Sequence, residues 1–142
     1  MKSSESKFKN CLYFTSNALA RKVEKLAIES WKPVGLSPSH GYLLMLVNQE
    51  PGIQPGAIAD NLQLTPSTVT RLIEKLEEKK LVVRITEGKT TNVYPTPAGK
   101  NLVPEMIQCI DRFAKIYSSS LGIKESDRMI NDMHAMADKL TG

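Results

Sequence analysis

The sequence of 142 residues has few of the features that mark secreted, membrane or metal-binding proteins. It contains two cysteines, Cys11 and Cys109, which makes a disulfide scaffold unexpected and favours a reducing compartment. Its two histidines, His40 and His134, stand apart from cysteines and acidic pairs, so we expect no metal site. Its apolar runs are all shorter than the roughly 18 residues that a membrane span requires. We therefore predict a cytoplasmic chain that does not contact a membrane.

The motifs of common enzyme classes are also missing. The sequence has no glycine-rich phosphate loop, no nucleophile elbow and no metal-ligand spacing. The adjacent acids Glu77 and Glu78 lie in a lysine-rich stretch and are typical of solvated charges. We therefore expect neither an enzyme nor a bound cofactor. The residues that are present, 41% hydrophobic and 24% charged, are those of one folded domain. A net charge of +4 weakly favours a polyanionic partner.

The stretch of residues 64–81 contains the predicted amphipathic helix around which the chain is organised. Thr65 is a favourable N-cap, and Pro66 suits the first helical turn. One face is apolar at the spacing i, i+3, i+4, i+7: Val69, Leu72, Ile73 and Leu76. The opposite side opens with small hydroxyls and one arginine, flanked by Lys75: Ser67, Thr68, Thr70 and Arg71. Such a helix fits a DNA major groove, and an ordinary surface helix is the alternative.

The neighbouring segments favour the DNA-binding alternative. Long helical spacing covers residues 8–31, with Trp31 as a packing residue at its end, and a second helix is predicted over 40–48. Ile53 is expected to add one β-pairing residue. A short helix at 55–62, a tight turn and the helix of residues 64–81 then form a helix-turn-helix arrangement.

A β-hairpin, or wing, is predicted directly after this arrangement. Its strands cover residues 81–86 and 91–94, with a turn at 87–89. The tip offers Lys89, Thr90 and Thr91, with Arg84 at the base. A basic tip suits the DNA minor groove, whereas a solvated turn lysine is the alternative.

Two further helices are predicted at the C-terminus, over residues 97–121 and 125–140, the first bent early by Pro104. The first and last helices carry more apolar surface than a small core requires, which predicts packing across a homodimer. The fold class is therefore mainly α with a small β-hairpin wing: a winged helix-turn-helix with long terminal dimerisation helices. We assign residues 1–36 and 97–142 to dimerisation and residues 37–96 to the DNA-binding lobe.

The run IADNLQLTPSTVTRLIEKLEEKKLVVR, residues 58–84, resembles the central motif of MarR-type (multiple antibiotic resistance regulator) winged-helix transcription factors. TPAG at residues 96–99 stands where that family has a similar helix start. The resemblance implies a homodimeric regulator that binds a pseudo-palindromic operator, a repressor that a small ligand releases. Carried over by position, it implies that Ser67, Thr68, Thr70 and Arg71 face the major groove and the hairpin tip the minor groove. Together with the residue pattern, the predicted DNA-binding residues are Pro66, Ser67, Thr68, Thr70, Arg71, Lys75, Arg84, Lys89, Thr90 and Thr91.

The chain departs from the family pattern at two places, the wing tip and the turn after the recognition helix. The family usually has an arginine element at the tip, where this chain has Lys89, which supplies charge without a planar fork. Lys80 replaces a usual glycine after the recognition helix, which disfavours a left-handed turn there.

Three alternatives concern what the chain senses or binds. A small aromatic effector could bind at the junction of the first two helices, near Tyr13, Trp31, His40 and Tyr42, although packing is the better explanation of each residue individually. Oxidant sensing through Cys11 is an alternative, but a core role for both cysteines is favoured. A winged-helix protein-interaction module without DNA binding is the third.

Overall fold

The computed structural model describes residues 1–140, which form seven α-helices and a two-stranded antiparallel sheet. Short 3-10 turns cover Ser3–Glu5 and Lys32–Val34. The elements are α1 (Leu12–Trp31), α2 (Pro38–Gln49), α3 (Pro55–Leu62), α4 (Pro66–Glu78), β1 (Val82–Glu87), β2 (Thr90–Pro95), α5 (Pro97–Asn101), α6 (Val103–Leu121) and α7 (Ile123–Lys139). This architecture confirms the predicted winged helix-turn-helix fold class. The last two residues of the predicted dimerisation region, 141 and 142, lie outside the described residues.

Three helices begin with a hydroxyl cap followed by proline, as predicted for Thr65 and Pro66. The hydroxyl accepts a hydrogen bond from a backbone N–H of the first turn, while proline occupies a position whose N–H would lack a helical acceptor. The cap distances are 3.4 Å from Ser37 to His40 N, 3.4 Å from Thr65 to Thr68 N and 3.1 Å from Thr96 to Gly99 N.

Helix α4 ends in a left-handed turn at Lys80, whose φ is 60°. The Leu81 N–H donates to the Leu76 carbonyl and the Lys80 N–H donates to the Glu77 carbonyl, each at 2.9 Å. These two bonds define a Schellman ending. The turn therefore forms although lysine replaces the glycine that this position favours.

The core lies in the winged lobe and at its junction with α6. Helices α2, α3 and α4 and the hairpin bury their apolar faces together, and α6 adds Met106 and Cys109. Trp31 is 1% exposed and meets Tyr42 edge to face, which confirms its packing role. Ile53 pairs with Val93, as predicted, and so ties the loop before α3 to the hairpin. The domain boundaries at 36/37 and 96/97 stay a prediction.

Three predicted boundaries were wrong. The first helix begins at Leu12, because residues 7–10 form turns and Cys11 is its N-cap. The helix predicted over 97–121 is interrupted at Leu102, and Pro104 lies in the first turn of α6, where proline is tolerated, instead of bending a continuous helix. The hairpin turn has two residues, Gly88 and Lys89, because Glu87 already pairs with Thr90.

The terminal helices carry exposed apolar side chains. Helix α1 exposes apolar side chains such as Leu12, Leu19 and Val23, while Ser30 and Trp31 at its end are buried. Helix α7 exposes Ile130, Met133 and Met136 in the same way. Within residues 1–140, no helix is long and apolar enough to cross a bilayer.

Candidate nucleic-acid interface

The two faces of α4 differ in burial as the helical spacing predicts. Val69, Ile73 and Leu76 are at most 1% exposed and belong to the core, and Leu72 is half-buried beside them. The opposite side presents Pro66, Ser67, Thr70, Arg71 and Lys75 to solvent, and Thr68 is half-buried. The residues predicted to enter a major groove are therefore together on one accessible surface.

A cluster of hydroxyl groups lies at the N-terminus of α4. Thr65 Oγ1 is 2.9 Å from Thr68 Oγ1 and 3.3 Å from Ser67 Oγ. Thr70 Oγ1 donates to the Pro66 carbonyl at 3.0 Å. Each hydroxyl has one donor and two acceptor lone pairs, so these bonds leave capacity for further hydrogen bonds. The positive end of the helix dipole adds to the affinity of this end for anions.

Two cationic side chains extend from the same surface. In the part of the chain that the structure describes, Arg71 forms no ion pair or side-chain hydrogen bond, so its guanidinium is available to a ligand. Lys75 Nζ lies 3.6 Å from Glu78 Oε2, and both side chains are more than half exposed. Exposed pairs of this kind contribute about 0–1 kcal/mol, so a phosphate can compete for Lys75.

The wing tip carries charges of both signs. Gly88 has a φ of 64° at the first of two loop positions, a type II′ feature, and places the exposed Lys89 at the tip. Glu87 precedes the turn, and its carbonyl accepts a 2.8 Å hydrogen bond from Thr90 Oγ1. Thr91 is half-buried and pairs with Thr86. Lys89 thus stands close in sequence to a carboxylate that would repel phosphate.

Arg84 lies in an environment that sequence reasoning missed. Its Nη2 atom is 2.7 Å from Glu77 Oε1 in the last turn of α4. The signal in the sequence is strand alternation, because Arg84 lies two residues after the buried Val82 and therefore on the same side of the hairpin. The guanidinium that we predicted at the base of a DNA-contacting tip is engaged by the protein itself.

The predicted effector residues are only partly brought together. Trp31 and Tyr42 are in contact, with ring centroids 5.7 Å apart. Tyr13 lies at the other end of α1, about 27 Å along the helix axis from Trp31 at 1.5 Å per residue. His40 lies in the first turn of α2, and burial, then the charges of Lys79 and Lys75, lower the pKa of its imidazole. Tyr13 of one chain is therefore remote from the other three side chains.

The two cysteines differ in exposure. Burial raises the pKa of the Cys109 thiol, which keeps it protonated, as expected of a core residue. The favoured core role is wrong for Cys11, which is exposed and lines an open cavity of about 290 Å³ with aromatic side chains and Arg21. Among residues 1–140, no cluster of histidine, cysteine and acidic side chains is suited to hold a metal ion.

Comparison with known proteins shows which family this geometry resembles. A model described as MarR family matches residues 34–90. A curated relative, the HTH-type transcriptional repressor MdtR of Bacillus subtilis, is 28% identical over 76 residues, which cover 54% of this chain and 49% of that protein. The chain spans between 49% and 60% of the length of the curated relatives that it matches.

Solved structures share the fold over nearly the whole chain. The S. aureus MepR–DNA complex superposes with a TM-score of 0.79 at 23% identity, covering 92% of this chain and 98% of that one. CouR from Rhodococcus jostii RHA1, bound to p-coumaroyl-CoA, gives a TM-score of 0.77 at 20% identity, covering 96% and 99%. The family match spans the helix-turn-helix and β1, and the fold agrees beyond it. The chain is therefore similar to the MarR family over residues 34–90 and shares the fold of these solved structures beyond them.

Proposed function

We propose that this chain is a DNA-binding transcriptional regulator whose α4 enters the major groove. The observation that carries the proposal is the exposed hydroxyl surface of α4 beside an Arg71 guanidinium that is free of ion pairs within the described residues. Hydroxyl groups bind phosphates and base edges, and arginine binds guanine through two parallel hydrogen bonds. The relatives named as a transcriptional repressor and as a protein–DNA complex support this role.

The proposed active form is a homodimer held by α1, α6 and α7. In a single chain these helices expose apolar side chains to water, among them Val23, Ile107 and Met133. Burying such surface against a second copy is favourable by about 25 cal/mol per Å². A twofold axis would present two α4 helices to half-sites about 34 Å apart, which predicts a pseudo-palindromic operator.

The regulator is proposed to act as a repressor that a small aromatic ligand releases. The repressor name of MdtR and the aromatic thioester bound to CouR support this part of the proposal. Trp31, Tyr42 and His40 at the start of α2 are the side chains of this chain that would meet such a ligand. Operator binding would place the chain with the DNA in the cytoplasm.

Selection from a random duplex pool tests the DNA-binding function. The purified chain is mixed with the pool, bound duplexes are recovered, and their affinity is measured over a salt gradient. We expect a pseudo-palindromic site whose affinity falls steeply with salt, because phosphate contacts release counterions. Recovery of no preferred sequence, together with salt-insensitive retention on duplex DNA, would overturn the proposal.

The same experiment distinguishes the two alternatives. A protein-interaction module would present apolar groups on the open side of α4, whereas Ser67, Thr70 and Arg71 occupy it. Salt-insensitive weak retention would favour such a module. Oxidant sensing through the exposed Cys11 predicts that peroxide releases the selected duplex and that Cys11→Ala abolishes this release.

A further inference from the structure

One partly shielded ion pair joins the proposed recognition helix to the wing. Arg84 Nη2 lies 2.7 Å from Glu77 Oε1, and the two side chains are 35% and 30% exposed. The other α4 pair, Lys75 with Glu78, is longer at 3.6 Å and far more exposed. Because solvent screens exposed pairs more strongly, the Glu77–Arg84 pair is the stronger interaction of the two.

The strand register explains why Arg84 points toward α4. Arg84 pairs across the hairpin with Val93, which is fully buried, and Val82 on the same side of β1 is 1% exposed. The side chain of Arg84 therefore leaves the hairpin on its core side. Its guanidinium is held over the end of α4, five residues before Lys89 at the tip.

The same register pair anchors both strands of the wing. On β2, the Val93 N–H donates to the Ile53 carbonyl at 3.0 Å. The Val93 carbonyl accepts from the Gly52 N–H at 2.8 Å. Arg84 on β1 is held by Glu77. The three register pairs beyond this level extend to the tip: Ile85 with Asn92, Thr86 with Thr91, and Glu87 with Thr90. Glu77 thus supplies one of two fixed points from which the distal wing projects.

We propose that Glu77 is a positioning residue for DNA recognition. Through Arg84 it fixes the angle between the wing and α4, so that Lys89 and Arg71 meet one duplex at the same time. The inference rests on the proposed DNA-binding function. Removing a negative charge ordinarily raises the affinity of a protein for DNA, which is a polyanion. The positioning role predicts the opposite: removing the negative charge of Glu77 should lower the affinity.

The test compares two isosteric substitutions that remove the same charge from neighbouring residues of α4. We expect Glu77→Gln to weaken binding of the selected duplex about three- to tenfold, the equivalent of one partly shielded pair. Glu78→Gln should leave affinity unchanged or raise it slightly, because in the described structure Glu78 pairs with Lys75 on its own helix and forms no ion pair with the wing. Circular dichroism melting checks that both variants fold.

Two further readouts separate positioning from a merely structural role. If Glu77 acts through the wing, Glu77→Gln should lower the duplex affinity of the wild-type chain but should lower it little further in a chain whose tip contact Lys89→Ala has already removed. Arg84→Gln should weaken binding without changing the salt slope, whereas loss of a direct phosphate contact lowers the slope by about 1.

The outcomes distinguish this inference from the function on which it rests. Unchanged or tighter binding by Glu77→Gln would overturn the positioning role and return Arg84 to the set of direct DNA contacts. A lower salt slope for Arg84→Gln would do the same. Failure of the wild-type chain to select any duplex would overturn both the inference and the DNA-binding function.

Discussion

At the scale of single residues, Lys80 has a backbone conformation that costs an ordinary side chain free energy. Its φ of 60° lies in the left-handed region, and the Schellman bonds at the end of α4 require that conformation. Thr96 Oγ1 donates to the Lys80 carbonyl at 2.7 Å, which links the turn to the start of α5. The contacts of the turn therefore hold Lys80 where glycine would rest without strain.

Replacing Lys80 by glycine should stabilise the fold. Relief of left-handed strain, about 1–2 kcal/mol, exceeds the entropy cost of a glycine, about 0.5–1 kcal/mol, so we expect a net gain of about 0.5–1 kcal/mol. Urea unfolding at one fixed protein concentration measures this gain. Lys79→Gly is the matched control, because Lys79 has a φ of −80° and the same change there should destabilise. Equal effects at the two lysines would contradict the strain argument.

At the scale of elements, hydroxyl–proline pairs predicted helix starts well because capping is a local property of the sequence. Thr65 caps α4 as predicted, and Ser37 and Thr96 cap their helices in the same way. The break at Leu102 was missed because a proline near a helix start fits either a bend or a new first turn. Which one forms depends on packing, and here Gly99 lies so close to Leu81 that an added Cβ would be 2.2 Å from the Leu81 carbonyl oxygen.

The predicted site residues on α4 followed from spacing alone, whereas the place of Arg84 did not. An amphipathic period assigns Ser67 and Arg71 to one open side without knowledge of the rest of the fold. The ion pair between Arg84 and Glu77 depends on how the hairpin packs against α4, and this packing is set by tertiary structure. Strand alternation in the sequence predicts the side of the hairpin on which Arg84 lies, but it does not predict that Glu77 is its partner.

The crossing of α1 and α2 depends on a glycine. A Cβ atom added at Gly41 would lie 2.2 Å from Trp31 Cζ3, deep within van der Waals contact. We expect Gly41→Ala to destabilise the fold by about 1–3 kcal/mol, despite the better helix propensity of alanine, because a buried tryptophan must shift. Thermal unfolding followed by circular dichroism measures the effect.

Gly56 provides the control for this substitution. It lies in the first turn of α3, where an added Cβ meets no atom of the described chain within 4 Å. Gly56→Ala should stabilise by up to about 1 kcal/mol through helix propensity. Stability gains at both glycines would show that Trp31 does not constrain the crossing.

At the scale of the whole molecule, the proposed dimer depends on the exposed apolar side of α7. Met133 is 44% exposed and lies on the same side as Ile130 and Met136. A glutamate at position 133 would require burial of an unpaired charge, so we expect Met133→Glu to shift the chain from dimer to monomer. Light scattering after size-exclusion chromatography measures the molar mass. Asn131→Glu, which adds the same charge on the opposite side of α7, should leave a dimer. A wild-type monomer at high concentration would contradict the dimer.

The claim that α4 reads DNA is tested most directly by the affinity of Arg71→Ala for the selected duplex and for random duplex. We expect a loss of about 1–3 kcal/mol on the selected duplex with little change on random DNA, as for a bidentate guanine contact. Lys89→Ala, which removes the same charge from the wing, should instead weaken both duplexes alike and lower the salt slope. Selected-duplex affinity that is unchanged in Arg71→Ala would contradict the reading role of α4.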